Sequence, residues 1–390
     1  MSDKLVDLLR WAVEHVNLRS VVSTDALQRL ARSATVEGLR DSLGPLLGLL
    51  GYAYLRARAR TSATVDRLTP RKSRAQNEIS RIAKVGSGIA AAAGLVGLLL
   101  QEKAVEEEGA VLPKRDLGPM GFKASILGMG GTGIPRGTEA EALLTLQTAH
   151  ECGINYYDTA SQYGNGESER RLGLWLEKLE AEGRRGEVFV ATKTLSRSYD
   201  MAASEIEFSL SRLKTKYIDL LQVHSVNDLD TWRTVTSRSG SLKSIEAAKA
   251  SGRVRHIGIT GHKDPSVIMQ AIADYPFDSV LMPLGITDRI YHPFEEEALP
   301  ACVVKGISRV AMKVFAEGKL IGTGADLEKC LHYVLSLPVS TAIIGMASPT
   351  EVLQNTVWTK TFVVMTEDEK EELANAIEEL IDTDVLWWKH

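Results

Sequence analysis

From about residue 115 onward, short apolar runs alternate with longer stretches whose apolar positions recur at helical spacing. Strands are predicted at 125–130, 155–159, 188–193, 218–224, 256–260, 279–284, 309–314 and 341–345. Helices are predicted between them, at 139–152, 167–182, 200–214, 242–252, 265–274 and 325–337. Eight strand–helix repeats over about 250 residues suit an α/β fold of the (β/α)8 barrel type. Ahead of them, KRDLGPMGFKAS (114–125) reads as a tight hairpin with glycine at its turn. An acidic helix, TEDEKEELANAIEELI (366–381), and the tail VLWWKH follow the last repeat.

The first 110 residues have a different texture, and only helices and loops are predicted there. Leu5, Leu8, Leu9, Trp11 and Ala12 follow helical spacing, and Ser23-Thr24-Asp25 offers an N-cap ahead of Leu27, Leu30 and Ala31. The charged stretch QEKAVEEEGAVLPKRD (101–116) marks the boundary between an all-α region, 1–110, and a barrel with a C-terminal helix, 111–390.

Two apolar runs in the first region are 43–55 and 85–100, of 13 and 16 residues. Both fall short of the roughly 17 to 25 residues of a membrane span. Residues 56–84 between them carry nine basic side chains against Asp66 and Glu78. Gly86, Ala90, Gly94 and Gly97 permit close helix–helix approach. Two readings stand: a buried hairpin or homo-oligomer interface, and membrane attachment through insertion or the basic loop. A two-span hairpin would put its basic loop inside and leave the barrel on the other side of the membrane.

Composition adds limits. The chain is 44% hydrophobic and 25% charged, as expected of a soluble globular protein. Residues 1–110 hold 16 Lys+Arg against 12 Asp+Glu, whereas 111–390 hold 30 against 38. The barrel region is therefore acidic, which argues against nucleic acid as a partner. Cys152, Cys302 and Cys330 are scattered and form no CxxC pair, so neither a disulfide framework nor a metal centre is expected. The opening residues, with Asp3, Asp7 and Glu14, match neither a signal peptide nor an acid-poor transit peptide. A reducing, cytoplasmic setting is expected, with membrane association as a further option for residues 1–110.

Catalytic groups in such barrels sit where strands end and loops begin. Asp158 closes the second strand, Tyr163 lies in the next loop, Lys193 closes the third strand and His224 the fourth. Neighbouring strands converge on one face, so the four can meet. A phenol with a pKa near 10 is a poor acid until a nearby cation stabilises its phenolate. Lys193 can supply that cation, Asp158 can hold it charged, and His224 can orient a substrate oxygen. The string Gly128-Met129-Gly130-Gly131-Thr132-Gly133 fits GxGxxG, but Ile134-Pro135-Arg136-Gly137 continues it as loop rather than opening a helix. A Rossmann fold is not expected, and the glycines are read as letting backbone approach a cofactor at the barrel mouth.

From residue 114 to the C-terminus the chain resembles the aldo-keto reductase superfamily. The resemblance rests on GINYYDTASQYGNGESERRLG (153–173), with LGMGGTG (127–133), ATK (191–193), LLQVH (220–224), HIGITGH (256–262) and IIGMASPTEVLQN (343–355). It implies that Tyr163 protonates a carbonyl oxygen as hydride arrives from NADP(H) or NAD(H), the choice left open. Asp158 and Lys193 would tune Tyr163, and His224 would position a small carbonyl substrate. The same resemblance implies a cofactor site of Gly130, Gly131, Thr132, Asp158, Thr260, Gly261, Met282, Lys313, Gly345, Met346, Ala347, Gln354 and Asn355. The family's Ser/Thr-Asn pair appears here as Thr260-Gly261, its sixth-strand Gln as Leu281, and its stacking aromatic as Met312. Glu351 stands where an Arg is frequent. A second reading keeps the barrel and nucleotide but makes the protein a redox-sensing regulator of low catalytic activity.

Overall fold

The strand segments are apolar on both faces, as parallel strands covered by helices must be. In the computed structural model, which describes residues 111–381 and 383–389, eight of them close into a parallel barrel. A short antiparallel hairpin precedes it, β1 (Lys114–Asp116) and β2 (Lys123–Ser125), its turn a single 3-10 turn at Gly118–Met120. The barrel strands are β3 (Leu127–Gly130), β4 (Tyr156–Asp158), β5 (Phe189–Thr194), β6 (Ile218–Val223), β7 (Val254–Thr260), β8 (Ser279–Pro283), β9 (Ser308–Met312) and β10 (Thr341–Gly345). Each pairs with its sequence neighbour, and β10 pairs with β3 to close the ring. All eight predicted strands are present, within a few residues at their ends.

Helices surround the ring: α1 (Glu139–Glu151), α2 (Glu167–Ala181), α3 (Tyr199–Arg212), α4 (Leu229–Thr236), α5 (Ser241–Ala250), α6 (Pro265–Asp274), α7 (Ala298–Val304), α8 (Leu327–Ser336), α9 (Pro349–Lys360) and α10 (Glu367–Glu378). Side chains begin several of them. Thr138 and Glu141 form a reciprocal capping box on α1, and Asp228 accepts the Thr231 N–H at 2.7 Å on α4. Helices α4, α7 and α9 were not among those predicted. The first two are only eight and seven residues long, and α7 carries Pro300, so neither shows a sustained period.

Alternation sorts the core into two layers. Tyr156, Phe189, Ala191, Leu220, Leu281, Val310 and Met312 fill the barrel interior, and Leu117, Met120 and Ala124 of the hairpin plug its N-terminal end. Tyr156 stacks on Phe189 with centroids 5.4 Å apart. Their strand neighbours, among them Tyr157, Val190, Leu221, Val280 and Met282, pack outward against the helices. The polar residues of the interior-facing register are left at the C-terminal ends, which places the site there.

The tail Thr383–Lys389 forms a 3-10 segment. Trp388 is buried, and Trp387 is exposed with its indole N–H donating to Glu317 at 3.1 Å. Lys389 is anchored by Asp288 at 2.6 Å and by the His292 carbonyl at 2.7 Å. Among the described residues, no helix is long and apolar enough to cross a membrane, and no cluster of His, Cys, Asp or Glu could hold a metal ion. The helices expected near Leu5 and Leu27, the runs 43–55 and 85–100, and the association role of 1–110 lie outside the described residues.

Candidate active site

Strand register brings the four predicted catalytic residues together. Asp158 is level with Ala191 across β4–β5, and Lys193 is level with Gln222 across β5–β6. Lys193, 1% exposed, donates to Asp158 Oδ1 and to the Thr159 carbonyl at 2.7 Å. The second carboxylate oxygen, Oδ2, accepts from Gln222 Nε2 at 3.0 Å. Tyr163 presents its ring to the lysine, with Nζ 5.0 Å from the ring centroid, and meets His224 edge-on at 6.4 Å.

The electrostatics give each group a defined state. Burial pulls the Lys193 pKa down, but Asp158 and Tyr163 outweigh it and hold it above the ordinary lysine value. Tyr163 departs from expectation. Burial pushes its phenol above 10, and the opposing pull of Lys193 does not reverse this. The resting residue is therefore fully protonated, and the lysine acts by stabilising charge that appears only as the proton leaves. His224 is held well below 6.5 by burial, then by the cations of Lys193, by His262, and by Arg197 and Lys313, so its imidazole is neutral.

Polar groups behind these residues were not anticipated. Gln222 lies two positions before His224 on β6, so alternation alone puts it on the same face. Gln162 Nε2 approaches His224 Nδ1 at 2.6 Å. Glu205 of α3 accepts from Ser161, Thr194 and Ser196, tying the loop after β4 to the end of β5. Arg197 donates to the His224 carbonyl at 2.7 Å. The last three contacts join residues distant in sequence and carry no local signal.

The predicted cofactor residues divide. Thr260 is buried at the end of β7, its Oγ1 accepting the Ser225 N–H at 2.8 Å, which leaves the hydroxyl proton free to donate. A Cβ at Gly261 would lie 2.7 Å from Ile268, so α6 packs where a larger residue would stand. Met282 and Met346 face the outer layer and not the mouth, because alternation turns Leu281 inward instead.

The glycines also meet the chain itself closely. A Cβ on Gly130 would meet Ile344 and Gly345 backbone at 2.9 Å, one on Gly131 the Asp158 carbonyl at 2.7 Å, and one on Gly133 the Met346 carbonyl at 2.5 Å. The space of their missing side chains is thus taken by the chain itself, by backbone at and just after β10 beside Gly130 and Gly133 and by backbone of β4 beside Gly131. Gly345 approaches exposed Thr132 in the same way. Lys313 is paired with Glu317, and its ammonium lies 4.9 Å from the centroid of the Trp388 ring.

At the start of α9, Ala347 N–H donates to Glu351 at 2.7 Å, so a carboxylate covers that donor. Gln354 is half-buried and Asn355 buried on the same helix, and Asn355 Oδ1 is buried with no hydrogen-bond partner among the described residues. His262 Nε2, two residues after Thr260, is likewise without a partner. Unpartnered polar atoms after β7 and after β10 fit a long ligand with polar groups along its length, such as a nicotinamide adenine dinucleotide.

A sequence profile of the aldo/keto reductase family matches residues 126–331. An uncharacterized oxidoreductase of Bacillus subtilis, YqkF, is 28% identical over 304 residues, covering 66% of this chain and 94% of that protein. A D-threo-aldose 1-dehydrogenase of a Pseudomonas species is 30% identical over 215 residues, covering 47% of this chain and 62% of its own length. Among solved structures, the holo form of an aldo-keto reductase from Bacillus halodurans, AKR11C1, superposes with a TM-score of 0.57 at 25% identity, covering 70% of this chain and 97% of that one.

Proposed function

The chain belongs to the aldo/keto reductase family, and we propose that it reduces an aldehyde or ketone to an alcohol with NAD(P)H, Tyr163 giving the carbonyl oxygen its proton. The observation that carries this reading is the buried Lys193 ammonium, held by Asp158 on one side and facing the Tyr163 ring on the other. When bound, the reduced nicotinamide supplies the hydride that the carbonyl carbon takes. Tyr163 is protonated at rest and releases its proton toward the developing alkoxide, with Lys193 stabilising the phenolate left behind. Asp158 keeps the lysine charged, and Gln222 satisfies the carboxylate oxygen that the lysine does not use. Neutral His224 donates a hydrogen bond to the same carbonyl oxygen and fixes its direction.

Thr260, Lys313, Gln354 and Asn355 are the proposed cofactor contacts, with Gly130, Gly131, Thr132, Gly345 and Ala347 shaping the backbone around them. Glu351 on Ala347 N–H disfavours an additional phosphate there, which supports use of NADH beside NADPH. The complete proton-transfer set supports turnover over a purely regulatory role. The cytoplasm, where reduced nicotinamide is abundant, suits this chemistry. Association of residues 1–110 with a membrane or a second copy is a separate proposal, tested by liposome flotation and sedimentation of the full chain. The activity itself is tested with a panel of small aldehydes and ketones and both reduced cofactors. Carbonyl-dependent cofactor oxidation is expected, and its absence across the panel with cofactor bound would overturn the reading.

A further inference from the structure

His224 is 4% exposed, and the two nitrogens of its ring have different surroundings. Nδ1 lies 2.6 Å from Gln162 Nε2. With the amide nitrogen placed there, which carries two N–H groups and no lone pair for accepting, Nδ1 is the acceptor, and Gln162 Oε1 is left buried without a partner among the described residues. A neutral imidazole with a lone pair on Nδ1 carries its one proton on Nε2. That is the form able to donate to a carbonyl oxygen.

Gln162 is itself held. Its neighbour Ser161 donates to Glu205, and the same carboxylate takes Thr194 and Ser196 beyond the end of β5. On the other side, the Tyr163 N–H is bonded to the Ala160 carbonyl at 3.1 Å. The His224 backbone is pinned to β5 by its N–H to Thr194 O at 3.0 Å and by Arg197 on its carbonyl. These contacts hold the backbone on both sides of the ring and amide pair.

We infer that Gln162 is a positioning residue that selects the Nε2–H tautomer of His224, so that one loop, Ser161 to Tyr163, supplies the proton donor and also orients the second hydrogen-bond donor to the substrate oxygen. The inference rests on the carbonyl-reductase reading for its purpose, but the tautomer is a property of the protein alone. The charged and titratable groups facing His224 are Lys193 on β5, Arg197 after β5, His262 after β7, Lys313 after β9 and the Tyr163 phenol. None of them is a carboxylate on the ring, so the arrangement favours a neutral imidazole, and the amide decides only which nitrogen holds the proton.

The experiment is NMR of the full chain with nitrogen-labelled histidine, the His224 signals assigned by comparison with His224→Asn. The wild type should show the neutral Nε2–H form. Gln162→Met, of similar length and without a donor, should lose that single tautomer and lower turnover by about tenfold, the scale of one hydrogen bond. Gln162→Glu can only accept at Nδ1, so it should place a proton there and introduce a titration near neutral pH into both the spectrum and the rate profile. An Nδ1–H wild type, or an unchanged tautomer in Gln162→Met, would overturn the inference. A wild type with the expected tautomer but no activity on any carbonyl would instead count against the proposed function.

Discussion

Gln222 donates to Asp158 Oδ2 at 3.0 Å from a strand that is not Asp158's neighbour in the barrel, since β5 lies between them. The reach is possible because the carboxylate points into the barrel interior, where alternate residues of β4, β5 and β6 converge. Lys193 takes the other oxygen, so the carboxylate is satisfied on both sides while remaining buried. An ion pair this deep depends on such extra hydrogen bonds to offset the desolvation of its charges.

Lys193→Met removes the cation that stabilises the departing phenolate and leaves Asp158 buried without its partner. Turnover should fall by about 10² or more, and any residual pH dependence should shift to higher pH as the phenol loses its opposing charge. Rate profiles against pH for a folded, cofactor-binding variant check this. An unchanged profile would remove the lysine from the mechanism.

The two histidines at the mouth give a pH signature. His224 is held well below its ordinary value by burial, and His262 is pushed down to about 3, again mainly by burial. Both folded-state values are depressed for groups that charge by gaining a proton, so the unfolded chain binds protons first as the solution is acidified. Stability should therefore decline as pH falls below about 6.5. Turnover should show no imidazole inflection between about pH 5 and 8. Denaturant titrations and rate profiles over that range measure the two effects.

Asp278 provides a separate acid-sensitive contact at the start of β8. Burial works against its charge, but the nearby His256 and hydrogen bonds from the Ile257 N–H and Lys249 pull its pKa down to about 2 from 3.8. A depressed carboxylate contributes stability above its unfolded value and loses it as pH falls through the folded one. The loss should fall between about pH 4 and 2 and amount to about 2 kcal/mol. Asp278→Asn should flatten that part of the stability curve, which urea unfolding at several pH values reports.

Glu351 accepts the Ala347 N–H just ahead of α9. Replacing it with Arg exchanges a repelling charge for an attracting one toward a 2′-phosphate. The variant should bind NADPH at least about tenfold more tightly while NADH changes little, since a charge-assisted contact is worth about 1.5–3 kcal/mol. Fluorescence titration with both cofactors measures the ratio.

The ring of strands was legible in the sequence because each strand is a short apolar run ending in polar residues, and Asp158, Lys193 and His224 were found by that rule. Helix α4 was not, because eight residues give too few repeats to show a period. Met282 was assigned to the cofactor without regard to alternation, which places Leu281 inside and Met282 outside. The glycines were assigned to cofactor approach, but the space beside Gly130 and Gly131 is taken by backbone of β10 and β4, a closure that only three-dimensional pairing reveals. Burial keeps the Tyr163 phenol above 10 although Lys193 pulls it down, and burial is not written in a linear pattern.

Single-turnover reduction by Tyr163→Phe tests the proton-donor role most directly. The variant keeps the ring that faces Lys193 and His224 and removes only the hydroxyl. With cofactor bound as in the wild type, oxidation of the bound reduced nicotinamide by an aldehyde should slow by about 10²–10⁴. A rate near that of the wild type would show that another group protonates the carbonyl oxygen and would contradict the role given to Tyr163.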